Sequence, residues 1–124
     1  MCSKEKVGDH LNTVIIDDES DICFILGFEL KLKGHNVMAF QSSQEALKSI
    51  EENGLPDMII CDFKMPKKSG LDIFLWLKER GYKNPFYILT GELNMDDQLL
   101  AAEGVTEIFY KPDDLPKLLE KITR

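Results

Sequence analysis

Five residues carry side chains suited to one kind of chemistry, and each sits where a short apolar run stops. Val14-Ile15-Ile16 stops at Asp17 and Asp18, and Met58-Ile59-Ile60-Cys61 stops at Asp62. Tyr87-Ile88-Leu89 stops at Thr90, and Ile108-Phe109-Tyr110 stops at Lys111. Three carboxylates brought together repel and raise one another's pKa unless a cation neutralises them. Oxygen-only ligands suit a hard ion, and Mg²⁺ takes one or two carboxylates along with waters and a phosphate oxygen. A lysine and a hydroxyl facing that cluster hold phosphoryl oxygens. The set therefore fits metal-assisted phosphoryl transfer, with the Asp62 carboxylate as acceptor and an acyl phosphate as product. Each residue alone has a plainer use. An Asp-Asp pair caps a helix, Asp62 caps a turn, Thr90 bonds nearby backbone, and Lys111 solvates the surface. Four matching run ends in one chain favour the chemical reading.

That chemistry needs the runs to be parallel strands whose carboxyl ends share an edge, where ligands bind in open sheets. The intervening segments supply what this requires. Strand 13–16 is followed by Ile22, Ile25, Leu26, Phe28, Glu29 and Leu32 at helical spacing, closed by Gly34. Residues 36–40 form a second strand. Ser42-Ser43-Gln44-Glu45 has the form of a capping box, and Ala46, Leu47 and Ile50 face inward from the helix it opens. Gly54 closes that helix. After strand 57–62 comes a helix capped near Ser69, with Leu71, Phe74, Leu75 and Leu77 on its face and Gly81 at its end. Strand 85–89 leads to a weaker helix over 95–103 with a polar start, then Gly104. Strand 106–110 precedes a last helix from Asp113 or Asp114, with Pro116 in its first turn and Leu115, Leu118, Leu119 and Ile122 inward. Five βα units in strict alternation predict an α/β fold, a doubly wound five-stranded parallel sheet covered by helices on both faces.

Composition narrows the function classes. The 124 residues suit one domain, with residues 1–10 a polar tail. Twenty-two acidic against 15 basic residues give a net charge of -7, which argues against nonspecific affinity for nucleic acid or anionic membrane. No apolar run approaches a membrane span. Cys2, Cys23 and Cys61 are odd in number and lack CxxC spacing, so they read as small hydrophobes in a reducing compartment. A cytoplasmic location is the expectation.

Val-Ile-Ile-Asp-Asp-Glu, Asp-Met-Ile-Ile-Cys-Asp-Phe-Lys-Met-Pro with Gly70 four residues on, Ile-Leu-Thr-Gly and Tyr-Lys-Pro occur in this order. In order and spacing they resemble a response-regulator receiver domain, the phospho-accepting module of two-component signalling. The resemblance runs from about Thr13 to Ile122, and the chain is similar to a stand-alone chemotaxis regulator with a receiver domain over 11–124. It implies a flavodoxin-like strand order 2-1-3-4-5. It implies that Asp62 takes a phosphoryl group from a sensor histidine kinase or histidine phosphotransfer protein, and that a downstream effector protein receives the signal. Asp18, Asp62 and the backbone carbonyl of Lys64 would bind Mg²⁺ directly, with Asp17 acting through water. Thr90 and Lys111 would contact phosphoryl oxygens, aided by the backbone N–H of Phe63 or Gly91.

The family usually carries an aromatic residue three positions before the lysine, and here that residue is Ile108. A β-branched side chain has fewer rotamers and no hydroxyl to exchange, so the expectation is a weaker or altered switch. Lys64 and Glu92 flank the site; they either pair across its mouth or both point into solvent. Phe109 and Tyr110 are candidates for the signalling surface, with one of the two facing the core. Two rival readings are a small aspartate-nucleophile phosphatase or phosphotransferase and a degenerate receiver that only binds protein. The first calls for an acid at position 64, and the intact Asp17, Asp18, Asp62, Thr90 and Lys111 set argues against the second.

Overall fold

The computed structural model describes residues 11–92 and 94–122; the expected tail over 1–10 and Cys2 lie outside them. Five strands and five helices alternate: β1 (Asn12–Ile16), α1 (Ser20–Leu32), β2 (Asn36–Phe40), α2 (Ser43–Asn53), β3 (Met58–Cys61), α3 (Gly70–Glu79), β4 (Phe86–Thr90), α4 (Asp97–Glu103), β5 (Glu107–Tyr110) and α5 (Leu115–Ile122). All pairings are parallel, in the order β2-β1-β3-β4-β5. The three inner strands bury nearly every side chain, as their unbroken apolar runs require. The edge strand β2 stays largely open, so the cover on both faces stops short of that edge.

Alternate strand residues feed two cores. Val14, Ile16, Ile59, Cys61 and Ile88 pack with Ala46, Ile50, Phe74 and Leu100 on the face that carries α2, α3 and α4. Ile15, Ile60, Leu89 and Phe109 pack with Leu26, Leu30, Leu118 and Ile122 on the face that carries α1 and α5. The sheet is thus doubly wound, as the strict alternation predicts.

Capping sets the helix starts. Ser69 accepts from Asp72 N at 3.1 Å while the Asp72 carboxylate accepts from Ser69 N at 3.0 Å, a complete capping box. At α2 only the forward half forms, Ser42 Oγ accepting from Glu45 N at 3.4 Å. Asp96 caps α4 through Leu99 N at 3.0 Å, so that helix begins later than position 95.

Two helices turn differently from the sequence expectation. In α1 the buried residues are Leu26, Gly27 and Leu30, whereas Ile25, Phe28 and Leu32 are exposed. In α3 Ile73 takes the inward place, and Leu75 is exposed. Both helices are apolar around more than half their circumference, so spacing alone does not choose the inward face.

Candidate functional site

The sheet ladder continues one residue beyond three strands. Asp17 N donates to Phe40 O at 3.0 Å, Asp62 N to Ile16 O at 2.8 Å, and Lys111 N to Thr90 O at 2.8 Å. The backbones of Asp17, Asp62 and Lys111 are therefore held in sheet register, and their side chains leave the carboxyl edge together. Asp17 and Asp62 are buried, Thr90 is wholly buried, and Asp18 is exposed. Carboxylate oxygens of Asp17, Asp18 and Asp62 all lie within 4.8 Å of one another.

Lys111 ties this cluster together. Its Nζ is 2.9 Å from Asp17 Oδ2, 3.5 Å from Asp62 Oδ2 and 3.7 Å from Glu19 Oε1. Asp17 Oδ1 accepts from Glu19 N at 2.9 Å. Burial pushes the Asp17 carboxyl up to about 6 against the pull of the Glu19 N–H and Lys111. Burial also raises Asp62, opposed by Lys111 and by the Lys64 backbone N–H. For Lys111, burial lowers the pKa, but the bond to Asp17 and the charges of Asp17, Asp62 and Glu19 outweigh it and the net shift is upward. Two neighbours raised in the same direction mean that one lysine does not offset the desolvation of two buried carboxylates.

The donor set fits a hard divalent cation: three carboxylates at short range, no sulfur or nitrogen ligand, one of them exposed toward solvent. Cys61 and Cys23 are both close by, yet neither is a ligand in kind. Cys61 Sγ donates to Asp62 O at 3.1 Å and Cys23 Sγ to Asp17 O at 3.3 Å. Burial raises both thiols, as small hydrophobes require.

The loop after Asp62 is shaped by Gly70. Gly70 N donates to Phe63 O at 2.6 Å. A Cβ there would sit 3.0 Å from Asp62 O and 3.0 Å from Phe63 Cα, both backbone atoms. Gly70→Ala is expected to cost about 1–3 kcal/mol and to displace the Asp62–Phe63 turn, read as a lower urea midpoint.

Thr90 Oγ1 accepts from Glu92 N at 3.1 Å, the bond its plain reading predicts. Lys64 is exposed and Glu92 half-buried, and among the described residues no ion pair joins them. Glu92 instead lines a small cleft with Phe63, Leu71 and Met95. Gly91 is exposed beside Thr90.

On β5, residues 108 and 110 share the face toward α4, while Phe109 turns the other way against Tyr87, ring centroids 6.1 Å apart. Ile108 is half-buried. Tyr110 OH donates to Asp97 Oδ1 at 2.7 Å, a contact the sequence reading missed. That bond pushes the hydroxyl up to about 12. Tyr110 also stands beside Thr90 in the β4–β5 register. Strand alternation and the acidic start of α4 were the signals that could have found it. Removing the bond in Tyr110→Phe is expected to loosen α4 by about 1 kcal/mol at most, seen as hydrogen exchange of α4 amides faster by up to several-fold.

A cleft of about 530 Å³ lined by Thr13, Lys31, His35, Met38 and Leu55 lies at the opposite end of the sheet from these groups. Its residues come from the amino-terminal halves of β1 and β2, the last turns of α1 and α2 and the loops that follow those helices, and it has no part in this cluster.

Residues 13–123 match the family model of the response regulator receiver domain. The alkaline phosphatase synthesis transcriptional regulatory protein PhoP of Bacillus subtilis is 30% identical over 100 residues, 80% of this chain and 41% of that protein. The transcriptional regulatory protein PrrA of Mycobacterium tuberculosis is 30% identical over 110 residues, 88% of this chain and 47% of that protein. The chain thus spans less than half the length of these curated relatives. A response regulator receiver domain protein from Clostridium thermocellum superposes with a TM-score of 0.77 at 35% identity, covering 90% of this chain and 93% of that one. The signal receiver domain of a LuxO repressor protein from Vibrio parahaemolyticus shares the fold, with a TM-score of 0.79 at 20% identity over 92% of this chain and 90% of that one.

Proposed function

The chain belongs to the response regulator receiver domain family, and on that premise we propose that it is a phosphorylation-controlled signalling switch with Asp62 as the phosphoacceptor. The observation that carries the proposal is Lys111 Nζ, set between Asp17 and Asp62 at the edge where the three carboxylates converge. One Asp62 carboxylate oxygen attacks phosphorus, the P–N bond to a donor histidine breaks, and the imidazole leaves with the electron pair. Lys111 balances charge on the phosphoryl oxygens. The Thr90 hydroxyl exchanges its bond from Glu92 N for one to the phosphoryl group, and the N–H groups of Phe63 and Gly91 line the same cradle.

Asp18, Asp62 and the Lys64 carbonyl would hold Mg²⁺. Asp17 would act through water, in keeping with both its oxygens already having protein partners, Glu19 N and Lys111 Nζ. When bound, the ion neutralises charge on the carboxylates and on the phosphoryl oxygens. The donor is a sensor histidine kinase or histidine phosphotransfer protein, and the signal passes to a partner protein.

Ile108 stands where the family usually has an aromatic residue, so the Thr90 movement reaches the surface by an altered route. Among the described residues no helix is long and apolar enough to cross a membrane. The test is incubation with Mg²⁺ and ³²P-labelled acetyl phosphate. Label should appear with Mg²⁺ and fall away with chelator, and a chain that takes up none under either condition would overturn the assignment.

A further inference from the structure

Helix α1 leaves an apolar stripe in water. Phe24 is 72% exposed, Phe28 53%, Leu32 66% and Ile25 40%. Phe24 and Phe28 stack on each other with centroids 6.2 Å apart. The opposite side of the helix is already used, with Leu26 and Leu30 in the core. Single exposed apolar residues are ordinary, but four on one stripe of a single helix form a contiguous patch of the kind that marks an interface.

The ends of the stripe carry opposite charges. Asp21 lies one turn before Phe24, and Lys31 lies one turn after Phe28; both are exposed. The spacing Asp21, Phe24, Phe28, Lys31 runs three, four, three, which keeps all four on one side of the helix. It is also symmetric about position 26. When two copies of α1 lie antiparallel across a two-fold axis at that level, Phe24 of one faces Phe28 of the other. Asp21 of each then faces Lys31 of its mate. A two-fold interface must be self-complementary in this way.

We propose that the α1 face is a homodimer interface, occupied by a second copy of this chain in antiparallel register. The charge order selects that occupant, because a partner basic or acidic along its length would match only one end of the stripe. The four phenyl rings of the pair form an aromatic cluster at the centre, and the Asp21–Lys31 pairs set the register at the rim. The stripe starts within one turn of Asp17 and Asp18, so pairing also narrows access to the carboxyl edge of the sheet.

The proposal does not depend on phosphorylation and is tested without Mg²⁺ or any phosphoryl donor. Sedimentation equilibrium of the full chain from micromolar to millimolar concentration should show the mass rising from one chain to two. Phe24→Ser with Phe28→Ser should abolish that rise. Asp21→Lys alone and Lys31→Asp alone should each weaken it tenfold or more, and the double exchange should restore it. Circular dichroism checks that the variants stay folded, which exposed positions allow. A wild type that is monomeric throughout overturns the proposal. Dimers that survive the serine changes, or single charge changes that the double exchange fails to rescue, overturn it as well.

Discussion

Asp62→Asn is expected to take up no label from acetyl phosphate and Mg²⁺ under conditions in which the wild type is labelled to a readily measured fraction. The amide keeps the size and the position fixed by Asp62 N to Ile16 O, so the sheet edge is retained. What it loses is the proposed nucleophile, since an amide oxygen offers no anionic electron pair to attack phosphorus. Uptake should drop to the background of nonspecific reaction, the largest functional effect any single change in this chain should show. Hydroxylamine should release label from the wild type, because an acyl phosphate is cleaved by that nucleophile and a phosphate ester is not. Equal labelling of both proteins, or label on the wild type that resists hydroxylamine, would move the acceptor to another residue such as Thr90.

A large effect on stability, and a stabilising one, belongs to Asp17. Its carboxyl sits at about 6 in the fold against an ordinary value of 3.8, because burial penalises the charge more than the Glu19 N–H and Lys111 repay it. A group raised in this way favours the fold in its protonated form. Its contribution is complete below the unfolded value, 3.8, and is lost as pH climbs through about 6. At neutral pH with chelator, ionised Asp17 is therefore a liability, and Asp17→Asn is expected to stabilise the fold by about 1–3 kcal/mol. The gain should shrink as pH falls from 7 towards 4. It should also shrink when Mg²⁺ is added, because the cation stabilises the wild type by mass action and the variant less. Urea midpoints of both proteins at pH 7 and pH 5, each with chelator or Mg²⁺, give the four differences required. A variant less stable than wild type at pH 7 in chelator would show that the 2.9 Å ion pair to Lys111 outweighs the burial cost.

Where the sequence was informative, it was because one physical demand dominated. Inner strands of a parallel sheet are buried on both sides, so 14–16, 58–61 and 86–89 had to be apolar throughout, and each run ended where the sheet edge meets water. That is why Asp17, Asp62 and Thr90 could be placed on one edge before any coordinates, whereas Lys111 follows the edge strand β5, whose partly exposed run is a weaker signal. The two-faced helices obeyed no such single demand. In α1, Ile22, Leu26 and Leu30 and the exposed Phe24, Phe28 and Leu32 all have helical spacing, and only the shape of the sheet decides between them. Contacts between distant polar residues left a fainter signal, the strand alternation and the acidic start of α4 hinting at one such pair without requiring it. Tyr110 and Asp97 are thirteen positions apart, and nothing local to either one requires the other. Lys64 and Glu92 make the converse case: opposite charges at tempting positions, which the loops do not bring into an ion pair.

The ladder bonds that run one residue past the strands have a further consequence. Asp17, Asp62 and Lys111 are pinned through main-chain bonds of 2.8–3.0 Å, so Asp62, as the proposed acceptor, would not travel to meet a donor. A stationary acceptor has little means of telling one incoming phosphoryl group from another, and a molecule as small as acetyl phosphate can serve it as well as a protein. On the proposed function, fidelity would then have to be written outside the acidic pocket, in the rim that decides which bodies can come near. Changes that rewire its inputs should accumulate on that rim and leave the chemistry untouched.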